Sequence, residues 1–233
     1  MRIAALLALA ALSLPAQTRP AAQTRPVIAL GDSVTLGIRP RPRVRAVDRF
    51  SNLLAARLRR PIRNAGVGGD TTRDLLARLG RDVLNHSPRA VLIMAGLNDA
   101  AYVDPAPGRG ITERDTPRVP LAEFERNLAE MVERTKRAGA KPILLTPNPM
   151  TRRYVYQRAR FYQDHDINDG LAPFAEAVRR VARTHGACLA DVHADWLSRR
   201  QHSRWLPDGL HPNPAGHRRI ADLVWQRCRE SLR

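Results

Sequence analysis

The sequence predicts a single α/β domain in which a parallel sheet is covered by helices on both faces. Five short segments, Val27 to Leu30, Ile62 to Ala65, Ala90 to Ala95, Pro142 to Leu145 and Cys188 to Ala190, read as strands, all but the second apolar and the third apolar enough to be buried on both faces. Between them lie amphipathic stretches whose apolar residues recur at spacings of three and four, as on one side of a helix. Strands that alternate with helices need crossover connections, which are right-handed and build a parallel sheet. At 233 residues the chain is long enough for one such domain with a substantial core.

The first strand runs into Gly31-Asp32-Ser33-Val34-Thr35-Leu36-Gly37, so Ser33 is expected on the turn at a strand's C-terminal end. Prolines at 40 and 42 keep the arginine-rich stretch Arg39 to Arg45 out of a helix and make it an exposed loop. A helix is expected from about Ala46 to Arg59, with Val47, Phe50, Leu53, Leu54 and Leu58 on its apolar face. The second strand enters a stretch with glycines at 66, 68 and 69, where Asp70 or Thr71 can cap the helix carrying Leu75, Leu76, Leu79 and Val83. The third runs into Gly96-Leu97-Asn98-Asp99. A Pro- and Gly-rich loop from Tyr102 to Pro120 precedes a long helix with Leu121, Phe124, Leu128, Met131 and Val132 on one stripe, and Gly139 stops it. The fourth strand ends at Thr146-Pro147-Asn148-Pro149, and helices are expected at about Asn168 to His185, Ala194 to Arg200 and Pro214 to Ser231. The polar motifs at 33, 69 and 98 all follow strands, so a parallel sheet gathers them on one edge.

Residues 1–22 fall outside the expected domain. A positive start at Arg2, a nearly continuous Ala/Leu run from Ile3 to Leu14 and small residues at 16, 21 and 22 read as a secretory signal peptide cleaved after Ala16 or Ala22. Residues 23–26 then form a linker, and 27–233 the folded domain. The run is shorter than the roughly 20 residues that span a bilayer, which argues against an integral membrane segment, and no cysteine follows it to carry a lipid anchor. Export would permit a disulfide between Cys188 and Cys228; two buried thiols are the other reading. The formal charge of +17 suits an anionic partner, yet only two of the 39 basic residues are lysines and the arginines are scattered over every helix. No zinc-finger, helix-turn-helix or ribonucleoprotein pattern accompanies them, so nucleic acid is excluded as the main partner.

A serine nucleophile needs a base, and the base a carboxylate to orient it. Of the seven histidines, His211 stands in the loop Trp205-Leu206-Pro207-Asp208-Gly209-Leu210-His211-Pro212, where Asp208 can accept from one ring nitrogen while the other faces Ser33. His217 is expected to be solvated on the last helix, and His86, His165, His185 and His202 on the surface without an acid so placed. Asp191 and His193 make a poor metal motif, lacking thiolate or further histidine partners, so no metal is expected. Taken singly, Ser33, Gly69 and Asn98 are ordinary turn residues. Together with His211 they supply a hydroxyl, its base and hydrogen-bond donors at neighbouring strand ends, the set that acyl transfer requires.

Four blocks in order, Gly31 to Gly37, Asn64 to Thr71, Gly96 to Asp99 and Asp208 to Pro212, resemble those of the SGNH or GDSL hydrolases, over a span from about Val27 to the C-terminus. The resemblance implies a flavodoxin-like α/β/α sandwich with five parallel strands, Ser33 as nucleophile, His211 as base, Asp208 as its orienter, and an oxyanion hole made by the Ser33 and Gly69 N–H groups and the Asn98 amide. It implies no metal or organic cofactor.

The family acts on many esters. The chain shows no long apolar groove-forming stretch, which favours a small acyl group, acetyl, on a small-molecule or polysaccharide carbohydrate ester; a lipase, lysophospholipase or aryl esterase is the alternative, and a silent carbohydrate- or surface-binding module the alternative of another class. Arg39, Arg41 and Arg43 are expected near the mouth. Tyr154, Tyr156 and Tyr162, in the Arg/Tyr-rich stretch 151–162, are read either as a lid that binds an anionic sugar or aryl substrate or as a half-buried aromatic stripe. The sequence does not determine an oligomeric state.

Overall fold

The structure, a computed structural model, describes residues 25–37, 44–106, 110–199 and 201–233. In chain order they form β1 (Val27–Gly31), α1 (Ser33–Leu36), α2 (Phe50–Leu58), β2 (Ile62–Gly66), α3 (Thr72–Asp82), β3 (Ala90–Met94), β4 (Val103–Ala106), β5 (Gly110–Glu113), α4 (Leu121–Arg137), β6 (Lys141–Leu145), α5 (Ala172–Thr184), β7 (Cys188–Ala190), α6 (Val192–Leu197) and α7 (Pro214–Leu232). Five strands make one parallel sheet in the order β2-β1-β3-β6-β7. Every position of β1 and β3 is buried, which their uninterrupted apolar composition requires. Helix α2 packs with α7, while α3 packs on α4 and α4 on α5. Right-handed crossovers put these two sets on opposite faces of the sheet, giving the expected three layers.

The order of strands positions the site. The chain leaves β1 for β2 on one side and returns to β3 on the other, so the crevice at the carboxyl ends of β1 and β3 is a topological switch point. Gly31 pairs with Gly66 and Met94, which aligns those three strand ends.

Several local expectations are corrected. The helix expected over 46–59 is a 3-10 turn, Ala46–Asp48, followed by α2, because Arg49 between them is extended (φ −69°, ψ 142°). That break resets the helical phase: Phe50 enters the core while Val47, expected beside it, is 62% exposed. The loop expected over 102–120 contains the antiparallel β4–β5 ribbon. Pro105 is accommodated in it because a two-stranded ribbon has only edges, where a missing N–H is tolerated. Helix α5 starts at Ala172, with Pro173 in its first turn, because Asn168 instead brackets Met150, accepting from its N–H at 2.8 Å and donating to its carbonyl at 3.1 Å. The short helix expected from Ala194 starts earlier, at Val192, capped by Asp191 accepting from the Ala194 N–H.

His217 is buried, not solvated: its Nδ1 accepts from the Phe50 N–H at 3.4 Å, at the start of α2, and burial pushes its pKa down to about 4. His185 does have an acid, Glu133, 2.8 Å from Nδ1. Cys188 and Cys228 form a disulfide, Cα–Cα 5.8 Å, which decides between the two readings left open. The leader expected at residues 1–22 lies outside the described residues.

Candidate active site

Ser33 is the first residue of the four-residue helix α1, and Asp32 caps it: Asp32 Oδ1 accepts the Val34 N–H at 2.9 Å, while Gly37 closes the turn in the left-handed region (φ 71°). Gly31 is confined, since a Cβ there would strike the Thr35 hydroxyl and lie 2.6 Å from the Met94 carbonyl oxygen. Asn64 fastens α1 from the next strand by donating to the Thr35 carbonyl at 2.6 Å. Ser33, 8% exposed, is thus presented from a short, tightly packed turn.

The Asp208–His211 loop meets it from the far end of the chain. Asp208 Oδ1 accepts the backbone N–H groups of Leu210 at 3.0 Å and His211 at 2.8 Å, curling the loop over Gly209 (φ 95°). Asp208 Oδ2 lies 2.8 Å from His211 Nδ1, and His211 Nε2 lies 3.0 Å from Ser33 Oγ. An imidazole that donates from Nδ1 to a carboxylate turns the lone pair of Nε2 to the hydroxyl. Burial raises the Asp208 pKa, but the hydrogen bonds and charge of His211 outweigh it and the net shift is downward.

Asn98 lies beyond the end of β3, 7% exposed. Its Nδ2 donates to the Asp70 carbonyl at 2.9 Å and reaches Asp32 Oδ2 at 3.3 Å; its Oδ1 is 3.4 Å from the Tyr156 hydroxyl. Gly69 adopts a positive φ of 87°, and its carbonyl accepts from Arg118 at 3.3 Å. Two further carboxyls lie beneath this edge. Burial raises Asp32 to about 7, against the Val34 N–H and His211, and raises Asp99 to about 6, against the N–H and hydroxyl of Thr72. No three His, Cys, Asp or Glu side chains among the described residues are grouped to hold a metal ion.

This geometry coincides with a sequence match: the profile of the GDSL-like lipase/acylhydrolase family covers residues 29–219. The chain belongs to that family. It is 38% identical over 130 residues to an uncharacterised lipoprotein of Bacillus subtilis, a match spanning 53% of this chain and 49% of the relative. It is 31% identical over 172 residues to an isoamyl acetate-hydrolyzing esterase 1 homolog of Bos taurus, spanning 70% and 66%. The chain thus spans about half to two thirds of the length of these two relatives. The crystal structure of an acetylxylan esterase from Geobacillus stearothermophilus superposes with a TM-score of 0.64 at 25% identity, over 87% of this chain and 93% of that one.

Outside the blocks that carry the family resemblance, the predicted residues fare differently. Arg39, Arg41 and Arg43 lie outside the described residues. Tyr162 does not line the site: it is fully buried in the core, edge-on to Tyr102 and Phe161, and cannot stack on a substrate. Phe161 is sandwiched face to face between Tyr102 and His165, so both faces of its ring are already covered. Tyr156 is 3% exposed and no stacking platform either, while Tyr154 is half-buried with its ring edge-on to His211 at 5.8 Å. That segment forms two 3-10 turns, Val155–Arg158 and Arg160–Gln163, closer to the half-buried stripe than to a lid. Sequence reasoning missed Arg118, whose surrounding loop carries no local signal, and Arg78, an arginine on an amphipathic helix where such residues are usually solvated.

Proposed function

We propose that this GDSL family member hydrolyses carboxylic esters through an acyl-enzyme, with Ser33 as nucleophile, His211 as base and then acid, and Asp208 as its orienter. The continuous chain of contacts from Asp208 through His211 to Ser33, at 2.8 and 3.0 Å, carries the reading. His211 Nε2 takes the Ser33 proton as Oγ attacks the ester carbonyl. The negative charge that develops on the carbonyl oxygen is met by the N–H groups of Ser33 and Gly69 and by the Asn98 amide. Asn98 Nδ2 donates one N–H to the Asp70 carbonyl at 2.9 Å; the other, held only by the longer 3.3 Å contact to Asp32, is the one open to the oxyanion without rotation of the amide. Protonated His211 then releases the alcohol by donating its proton, and water repeats the two steps to free the acid.

The substrate we favour is a short acyl ester, acetyl on a carbohydrate. Two similar proteins bear names that specify acetyl esters, isoamyl acetate and acetylxylan. The arginine excess adds a preference for anionic forms of such substrates. Export to an oxidising compartment belongs to the same proposal; the disulfide supports it, and no helix among the described residues is long and apolar enough to cross a membrane.

The test is kcat/KM for p-nitrophenyl esters from acetyl to palmitoyl, with Ser33→Ala beside the wild type. The expected result is activity that falls steeply beyond about four acyl carbons and is abolished in the variant. Each CH₂ buried in a groove would instead favour binding by about 0.8 kcal/mol, so activity rising with chain length would point to lipid. Equal rates for variant and wild type would overturn the mechanism.

A further inference from the structure

The segment following β6 touches both halves of the site. The Thr151 N–H donates to the Gly209 carbonyl at 2.7 Å, in the middle of the Asp208–His211 loop. A Cβ on Gly209 would strike the Tyr154 backbone nitrogen, so the two loops lie directly against each other. The Tyr154 ring stands edge-on to His211 and, at 4.7 Å between centroids, edge-on to Tyr156. Tyr156, almost wholly buried, carries its hydroxyl to Asn98 Oδ1 at 3.4 Å.

The two ends of an Asn amide have opposite hydrogen-bonding character, and a half-turn about χ2 exchanges them. Acceptors at the Asp70 carbonyl and Asp32 select the nitrogen end from below. A hydroxyl donor on Oδ1 selects the same orientation from above. From this arrangement we infer that Tyr156 is a positioning residue for ester hydrolysis, holding the Asn98 amide so that Nδ2, and not Oδ1, faces the developing oxyanion. The inference rests on the acyl-transfer reading above. Burial raises the Tyr156 pKa, so the phenol stays protonated and able to donate across the working range of His211 chemistry. The residue lies outside the four blocks that carry the family resemblance, on a segment this chain uses to tie the base loop to the oxyanion side chain.

A double-mutant cycle tests it, with p-nitrophenyl acetate as substrate and thermal melting to confirm that each variant is folded. Tyr156→Phe keeps the buried ring and removes only the hydroxyl. It should lower kcat about three- to tenfold, the range of one neutral hydrogen bond, with KM unchanged within about twofold. Asn98→Ala should lower kcat about a hundred- to a thousandfold. In the Asn98→Ala background Tyr156→Phe should cost nothing further, because there is no amide left to orient. An undiminished kcat in Tyr156→Phe, a loss confined to KM, or a loss that repeats in full on Asn98→Ala would overturn the positioning role. Ser33→Ala separates the two readings. If it abolishes turnover while the cycle shows no coupling, only the role of Tyr156 falls; if it retains turnover, the acyl-enzyme reading falls and the inference with it.

Discussion

Asp99 carries its carboxyl inside the protein, out of reach of bulk solvent. It is fully buried, its Oδ1 takes both the N–H and the hydroxyl of Thr72, at 2.8 and 2.6 Å, and burial still raises its pKa from 3.8 to about 6. Between those values the folded chain holds a proton that the unfolded chain has released, so this residue makes stability fall as pH rises from about 4 to about 6. His193 and His217 act in the opposite sense. Burial lowers each to about 4, the unfolded chain binds the extra protons up to about 6.5, and stability rises over the same window. Asp99→Asn keeps an acceptor for Thr72 and removes the titration. Thermal and urea unfolding of this variant, compared with wild type, should show a stability difference that moves in the variant's favour from pH 4 to 6, by on the order of 2 kcal/mol. A difference that stays constant with pH would remove Asp99 from the account.

Among the elements, the boundaries that local chemistry controls were legible. Apolar runs marked four of the sheet's five strands, and Gly139, in the left-handed region at φ 68°, ends α4 as expected. Thr71 caps α3, its N–H and hydroxyl both donating to Asp74. The break at Arg49 was not legible, because the requirement that Phe50 reach the core is set by α7 and not by the local pattern. Nor was Arg78 on α3. Its side chain, 9% exposed, donates to Asp70 at 2.6 Å and Asp82 at 3.1 Å, and to the carbonyls of Ala65 at 2.8 Å and Gly31 at 3.0 Å. One guanidinium thereby joins the carboxyl ends of β1 and β2, just beneath Ser33. Replacing it by Met keeps much of the volume but leaves Asp70 without its guanidinium and takes one donor from each carbonyl, the Gly31 carbonyl keeping only the Val67 N–H at 3.0 Å. Urea unfolding should report a loss of about 3–5 kcal/mol for Arg78→Met. A loss below about 1 kcal/mol would mean that water satisfies those groups equally well.

At the scale of the whole molecule, the disulfide and the sheet order act on the same segment. Strand β7 is the sheet's three-residue edge, hydrogen-bonded to β6, and the disulfide fixes it to α7 across a separation of 40 residues. Asp208 and His211 lie inside that closed loop. Cys188→Ser/Cys228→Ser should lower unfolding stability by about 2–5 kcal/mol, and a thiol reductant should lower wild type by a matching amount while leaving the variant unmoved. Equal denaturation midpoints for oxidised wild type and the variant would show that the cross-link adds nothing. The switch point at β1 and β3 explains why the blocks Gly31 to Gly37 and Gly96 to Asp99 meet, and the return of the chain through α6 brings His211 to Ser33 across 178 residues.

The sequence by itself determined the architecture and the residues that could do chemistry. Apolar runs, helical spacing, turn residues and the four blocks are local, and strands that alternate with helices have few ways to pack. Tertiary structure alone decided what each side chain faces. It buried His217 against α2, withdrew Tyr162 into the core, brought the Tyr156 hydroxyl to Asn98 and joined the two cysteines. The reason is physical: periodicity specifies which face of an element is covered, while the partner that covers it arrives from distant parts of the chain.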